Sequence, residues 1–222
     1  MLSAFLLKVL QRSDFMIIDV WSDVVCPWCF IGRRRLQKAI ANYGSGHEIT
    51  VRHRAFQLQP DITETVSKAD HLASKYRIDK AKVAEMQANV CSIADSEGLC
   101  YNLENTLSGN TADAHRLILW AETIGRGDDL LEALYSAYFE KSRSIFSHQD
   151  LIAVCTETGI DADSAITLLD SDQFRAQVEE DQGLASALGA NGVPFYVIDM
   201  KFGISGAQPQ EVFDQIFAEV HA

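Results

Sequence analysis

The stretch that decides the fold is Ile17-Ile-Asp-Val-Trp-Ser-Asp-Val-Val-Cys-Pro-Trp-Cys29, an apolar run that leads into a closely spaced pair of cysteines. The run from Ile17 to Trp21 is nearly continuous in apolar side chains, which is typical of a strand buried on both faces of a sheet. Pro27 suits the first position of a helix, because the N–H group that proline lacks has no intrahelical partner there. The stretch therefore predicts a strand that turns into a helix at Cys26.

The residues that follow predict a strand–helix–strand unit. Apolar side chains recur at helical spacing from Leu36 to Tyr43, and Gly44 marks the end of this predicted helix. The segment 49–55 then alternates apolar and polar residues, as a strand with one solvated face does. A crossover of this length joins parallel strands, so the sheet is expected to begin with a parallel pair.

The middle of the chain has a different period. From about Pro60 to about Asp181 the apolar residues recur at helical spacing, and strand character returns only at Phe195–Ile198 and 202–204. A last helix is predicted near the C-terminus. The expected architecture is an α/β sheet domain formed by both ends of the chain and interrupted by a large helical insertion.

Composition narrows the functional classes. The chain has 222 residues, of which 47% are hydrophobic, and it carries 31 acidic against 19 basic residues for a net charge of −12. An acidic protein is repelled by phosphate backbones and anionic lipid, so nucleic acid and membranes are not expected as partners. No apolar run approaches the roughly 18 residues of a membrane span, and Met1 to Leu10 lack the marks of a signal peptide. We expect a cytoplasmic protein, and the sequence leaves its oligomeric state open.

Cys26 and Cys29 suggest thiol–disulfide chemistry. Unpaired N–H groups and the helix dipole stabilise a thiolate at a helix N-terminus, where such cysteines have pKa values of about 3.5–7.5 rather than about 8.5. Cys26 would attack a substrate disulfide, and Cys29, nearly one turn later, would resolve the mixed disulfide. A structural zinc site needs a second close pair of ligands, which the other three cysteines do not supply. Two inert buried cysteines are the remaining alternative.

Three blocks of sequence resemble a known family. The segment Trp21-Ser-Asp-Val-Val-Cys-Pro-Trp-Cys-Phe-Ile-Gly32 resembles the active-site block of the DsbA-like branch of the thioredoxin superfamily, and more narrowly that of FrnE-type dithiol–disulfide oxidoreductases. Asn110-Thr-Ala-Asp-Ala-His-Arg-Leu117 is similar to part of that family's helical insertion. Gly189-Ala-Asn-Gly-Val-Pro-Phe-Tyr-Val-Ile198, followed by Ile204-Ser-Gly-Ala-Gln208, resembles its cis-proline strand and the loop beyond.

The resemblance implies a thioredoxin-like (DsbA-like) α/β fold with an inserted all-helical domain. In this chain the thioredoxin-like domain would comprise residues 15–59 and 182–222, the insertion residues 60–181, and an N-terminal extension residues 1–14. The resemblance also implies a cis Val193–Pro194 bond that lies against the cysteine pair and leaves backbone groups free to hold an extended substrate. Phe195 departs from the family, in which a hydroxyl residue often follows the cis-proline.

Further residues are weaker candidates. Trp28 is expected to contact substrate, together with Val193 and Pro194. In the resemblance, the helix end that carries Asn110 and His115 faces the active site, so His115 would stabilise a thiolate or shuttle a proton; a solvated or capping role is equally open.

The charged residues near the motif and the three other cysteines are expected to have structural roles. We interpret Asp23 as a surface carboxylate, which would assist proton transfer only if it were buried. We interpret Arg33–Arg35 as a solvated helix face in preference to a site that steers acidic substrates. Cys155 is expected in the core, and whether Cys91 pairs with Cys100 is open.

Three functions compete. The first is a thiol–disulfide oxidoreductase that acts on protein or small-molecule disulfides and needs no cofactor beyond the Cys26–Cys29 pair, with glutathione as one candidate co-substrate. The second is a glutathione-dependent enzyme like 2-hydroxychromene-2-carboxylate isomerases or kappa-class glutathione transferases. Those enzymes usually carry a lone serine at the nucleophile position, so two cysteines argue against it. The third is a redox-responsive binding module.

Overall fold

Four strands form the central sheet of the protein, whose computed structural model describes residues 15–44 and 48–220. β1 (Phe15–Ser22) pairs in parallel with β2 (Glu48–Ala55), and it pairs on its other side, antiparallel, with β5 (Phe195–Ile198). β6 (Phe202–Ser205) completes the order β2-β1-β5-β6. The predicted parallel start of the sheet is confirmed, whereas the predicted extension, residues 1–14, lies outside the described residues.

Helices make up most of the regular structure outside this sheet in the described residues. α1 is Pro27–Tyr43 and the C-terminal helix α9 is Gln210–Val220. Between them lie α2 (Lys68–Tyr76), α3 (Lys80–Ser96), α4 (Ala112–Thr123), α5 (Gly127–Tyr135) with a π-helical turn over Ser136–Glu140, α6 (His148–Glu157), α7 (Ala162–Leu169) and α8 (Arg175–Ala187). This is the DsbA-like α/β architecture with a helical insertion that the sequence predicts.

The sheet is covered on both faces. α1 and α9 bury Leu36 and Phe213 on one face, in a cluster that includes Ile18 and Tyr196. On the other face Trp21 and Phe195 pack with Ala185 of α8. Burial on both faces explains why β1 and β5 are continuous apolar runs rather than alternating ones.

The insertion packs directly on the active-site helix. Phe30 of α1 stacks on Tyr135 of α5 with ring centroids 4.8 Å apart, and the Tyr101 hydroxyl donates to the Pro27 carbonyl at 2.8 Å. One buried apolar cluster contains Cys26, Cys29 and the inner faces of the insertion helices. The cysteine pair therefore lies at the junction between the sheet domain and the insertion.

The structure departs from the sequence analysis at two points of the fold. The insertion contains a small antiparallel ribbon of β3 (Val66–Ser67) and β4 (Leu107–Ser108). Strands of two residues are too short to produce a recognisable alternation of apolar and polar residues. The interpretation of Arg33–Arg35 as a solvated face is wrong. Arg33 contacts Asp128 at 2.7 Å, and Arg35 contacts Glu97 at 2.6 Å, because acidic side chains of the insertion lie against this part of α1.

Candidate active site

The cysteine pair occupies the corner between β1 and α1. Cys26 has extended backbone angles at the N-cap of α1, Pro27 opens the helix, and the Cys26 N–H donates to the Asp23 carbonyl at 3.0 Å. Both cysteines are buried and both carry free thiols. The strand-to-helix turn predicted from Pro27 is confirmed, and it brings the Cys26 sulfur to the end of the helix.

The surroundings of the two thiols shift their pKa values in opposite directions. The hydrogen bond from the Cys29 side chain lowers the pKa of Cys26 below its ordinary value, and backbone N–H groups of Cys29 and Trp28 act in the same direction. Burial opposes this shift, as does the negative charge of Asp23. Burial, followed by the neighbouring Cys26 sulfur, raises the pKa of Cys29 well above its ordinary value. Such an arrangement favours Cys26 as the nucleophile and keeps Cys29 protonated until it is needed.

The segment that leads into β5 lies against Cys26. The Val193–Pro194 peptide bond is cis, and the Cys26 thiol contacts the Val193 carbonyl oxygen at 3.5 Å. The Gly206 N–H donates to the Pro194 carbonyl at 2.8 Å, which ties the loop after β6 to the same place. Val193 and Pro194 are thus beside the nucleophile, where the resemblance puts them.

A groove of about 300 Å³ opens beside Cys26. Its walls are mostly apolar, with Leu58, Leu72 and Val193 among them, and Trp28, 36% exposed, lies at its edge. Lys68 and Lys75 of α2 also line it. Burial lowers the pKa of Lys68, while the charges of Asp23 and the Cys26 thiolate act against this shift. The groove suits an apolar ligand that carries negative charge.

Asp23 is buried, so its interpretation as a surface carboxylate is wrong. Its Oδ2 atom accepts the Leu58 N–H at 2.8 Å, which fixes the loop after β2 against the turn before Cys26. His115, 3% exposed, places Nε2 at 3.5 Å from Asp23 Oδ1 without hydrogen-bond geometry. The solvated role considered for His115 is therefore wrong, because its side chain is buried beside Asp23.

The side chain of Asn110 makes hydrogen bonds that hold the local backbone in place. Its Oδ1 atom accepts the Ala112 N–H at 2.9 Å at the start of α4, and its Nδ2 donates to the Pro60 carbonyl at 2.9 Å. Its neighbour in the same sequence block, Arg116, is fully buried and donates to the carbonyls of Leu168, Ser171 and Gln173. Parts of this block thus hold the insertion together.

The remaining cysteines lie outside the site. Cys155 is buried, as expected, whereas Cys91 and Cys100 are unpaired in this structure and the Cys91 thiol contacts the Tyr101 carbonyl at 3.9 Å. Among the residues that the structure describes, no group of three or more His, Cys, Asp and Glu side chains could hold a metal ion. Within the same residues, no helix is long and apolar enough to cross a membrane.

Sequence reasoning missed the groove residues. Leu58, Lys68 and Leu72 come from a loop and a short helix 29 or more positions after Cys29, and no local pattern marks them. Lys68 directly follows β3, and no sequence pattern predicts that β3 pairs with β4. Only the folded insertion brings them to Cys26.

A helix-N-terminal cysteine pair that faces a proline-led strand defines a dithiol protein of the thioredoxin fold. Residues 17–218 match the model of the DsbA-like thioredoxin domain, and the chain belongs to this family.

Solved structures agree with this assignment. A probable DsbA oxidoreductase from Streptomyces coelicolor is similar at 34% identity and a TM-score of 0.88, covering 92% of this chain and 89% of that one. The cytosolic disulfide reductase DsbM from Pseudomonas aeruginosa, solved with glutathione, shares the fold at 18% identity and a TM-score of 0.65, with coverage of 93% and 100%. A 2-hydroxychromene-2-carboxylate isomerase shares the fold at 16% identity and a TM-score of 0.66, covering 92% of this chain and 95% of that one.

Proposed function

We propose that the protein is a thiol–disulfide oxidoreductase of the FrnE type that exchanges electrons through Cys26 and Cys29. The observation that carries the proposal is the pair itself: Cys26, with a lowered pKa, lies at a helix N-terminus and on a groove, and Cys29, with a raised pKa, lies directly behind it. The DsbA-like family supports thiol–disulfide chemistry in general.

The reaction balances with the cysteine pair alone. The Cys26 thiolate attacks one sulfur of a substrate disulfide, forms a mixed disulfide and expels the other sulfur as a thiolate that takes up a proton. Cys29 then loses its proton and attacks Cys26, which releases the second substrate thiol. The substrate gains two electrons and the protein becomes a Cys26–Cys29 disulfide; the reverse sequence oxidises a dithiol. No other cofactor enters these steps.

The groove supports a substrate class. Apolar walls and the two lysines favour a peptide or small molecule whose disulfide is flanked by apolar and acidic groups. We place the protein in the cytoplasm, where glutathione supplies an abundant thiol of that charge and its disulfide forms on oxidation. Trp28, Val193 and Pro194 are the proposed contacts to the substrate beside its sulfur atoms.

A second candidate is a glutathione-dependent isomerase or transferase. The lysine-lined groove favours it, because the carboxylates of glutathione are the groups that Lys68 and Lys75 attract. The presence of a resolving cysteine argues against it, since such enzymes hold glutathione without forming a disulfide. Stable binding of reduced glutathione to the oxidised protein, with no exchange, would favour this candidate.

Substitution of each cysteine tests the proposal. Cys26→Ser is expected to abolish reduction of insulin or oxidised glutathione, whereas Cys29→Ser is expected to accumulate a mixed disulfide that mass spectrometry detects. Cys91→Ser and Cys100→Ser are matched controls, because both thiols are unpaired and more accessible than the active pair. Undiminished turnover by the Cys26→Ser protein would refute the proposal.

A further inference from the structure

A second cavity lies behind the cysteine pair. It has a volume of about 170 Å³ and touches Cys29, Ser22 and Tyr135 at its inner end and His53 and Asp128 farther out. The groove described above lies on the Cys26 side instead. A cavity needs only about 10–15 Å³ and a few polar partners to hold a water. The walls of this one are mostly apolar, but it has the room for water beside the polar side chains of Ser22, His53, Asp128 and Tyr135.

His53 is held at this cavity by an unusual set of contacts. Its ring is nearly buried, and Nε2 lies 3.1 Å from Asp128 Oδ1. The Nδ1 atom is buried and has no hydrogen-bond partner among the residues that the structure describes. The Asp128 side chain is 68% exposed, so the His53–Asp128 pair reaches from the cavity to solvent. A buried ring nitrogen without a partner is costly unless something such as water bonds to it.

Cys29 needs a path by which its proton can reach solvent. It must lose its proton before it can attack the mixed disulfide, yet it is buried and its raised pKa disfavours the thiolate. Cys29 shares the lining of this cavity with Ser22 and Tyr135, whose hydroxyls are hydrogen-bonded to each other, while the charge of the buried Asp23 also acts on Cys29. The pKa of Tyr135 is raised by burial, so its hydroxyl stays protonated and can relay but not keep a proton.

The charges around His53 come from every side. Asp128 bonds its ring, Arg33 of α1 contacts the same carboxylate at 2.7 Å, and Glu122 of α4 accepts the His53 backbone N–H at 3.2 Å. Arg54, Leu131 and His115 border a small void beside the ring, and Glu132 accompanies Arg33. Carboxylates and guanidinium groups thus both lie near the imidazole of His53.

We propose that this cavity is the proton route of the resolving step, with His53 as the group that takes the Cys29 proton through intervening water and passes it to solvent beside Asp128. The inference rests on the proposed function. In the step, the proton leaves Cys29 for the imidazole, the Cys29 sulfur bonds to the Cys26 sulfur, and the substrate sulfur departs as a thiolate that is protonated by solvent. His53 touches no substrate and acts through Cys29.

The test separates the two chemical steps. A protein with Cys91→Ser and Cys100→Ser is reduced and mixed with the chromogenic disulfide dithiobis(nitrobenzoate) in a stopped-flow instrument. The first release of nitrothiobenzoate reports attack by Cys26, and the second reports attack by Cys29, which the Cys29→Ser protein identifies by lacking it. In His53→Gln the second rate is expected to fall about 100-fold near neutral pH, as for loss of a general base, with the first rate unchanged.

A second variant and a matched control complete the design. Asp128→Asn keeps a hydrogen bond to the imidazole but removes its negative partner, so the rise of the second rate with pH is expected to move to lower pH. His148→Gln is the control, because His148 contacts Asp113 at 3.1 Å on the surface in an equivalent ion pair. An unchanged second rate in His53→Gln, or equal slowing of both rates with an unaltered pH profile, would overturn the inference. Absence of the first release in the unaltered protein would overturn the proposed function and the inference together.

Discussion

Gly32 offers the sharpest test of how the active-site helix is seated. It lies in α1, buried, three positions after Cys29. A Cβ atom built on it lies closer than 3.0 Å to the Tyr196 hydroxyl oxygen, 3.1 Å from Pro194 Cγ and 3.4 Å from Ala207 Cβ. Gly32→Ala therefore cannot be accommodated unless α1 and the start of β5 move apart, and that movement separates Cys26 from Val193.

The magnitude follows from two opposing terms. Alanine gains about 1 kcal/mol over glycine in a helix interior. Overpacking of a filled site costs about 1–3 kcal/mol, because relaxed carbon contacts lie near 3.5–4.0 Å. We expect a net loss of up to about 2 kcal/mol of unfolding free energy, together with slower reaction of Cys26. Gly183→Ala in exposed α8 is the matched control: its new Cβ meets nothing within 4 Å, so it should stabilise the protein by up to about 1 kcal/mol.

Urea denaturation and the rate of the Cys26 reaction measure both effects. Among the described residues the Tyr196 hydroxyl has no hydrogen-bond partner, so Tyr196→Phe alone should be nearly neutral. Combined with Gly32→Ala it removes the closest contact and should recover most of the lost stability and rate. If Gly32→Ala stabilises the protein as Gly183→Ala does, or if Tyr196→Phe brings no recovery, the steric reasoning fails.

Two further predictions concern other buried groups. Arg116→Met should lower the unfolding free energy measured by urea denaturation by about 3 kcal/mol or more, because three carbonyl oxygens near the end of α7 lose their donor. The control is Arg175→Met, which should be nearly neutral because Arg175 is exposed. The first-step rate with Cys26 should level off below the pH range of an ordinary thiol, because the pKa of Cys26 is lowered. Asp23→Asn removes a charge that raises this pKa, so the levelling should occur at still lower pH; a shift to higher pH would contradict the assignment.

Much of the fold could be read from local pattern. The buried run of β1, the proline after Cys26 and the alternation in β2 are properties of neighbouring residues, and strand–helix–strand connectivity follows from them. The position of the cysteine pair is equally local, since the helix N-terminus that favours a thiolate is made by the same few residues.

The surroundings of the pair could not be read in this way. Asp23 reads as a polar loop residue, yet the Leu58 N–H, 35 positions later, makes it a buried acceptor. The arginines after Cys29 read as a solvated face, yet the carboxylate of Asp128 lies against Arg33. In each case the partner is distant in sequence and has no periodic relation to the residue it contacts.

The sequence by itself determined the order of strands and helices, the split sheet domain with its helical insertion, and the cysteine pair at the start of α1. Tertiary structure alone decided what the two sulfurs face: a groove with Lys68 on the side of Cys26, and a cavity lined by His53 on the side of Cys29. The physical reason is that helix and strand formation depend on spacing within a few residues. Burial, ion pairing and pKa shifts instead depend on which distant segments the packed core brings into contact.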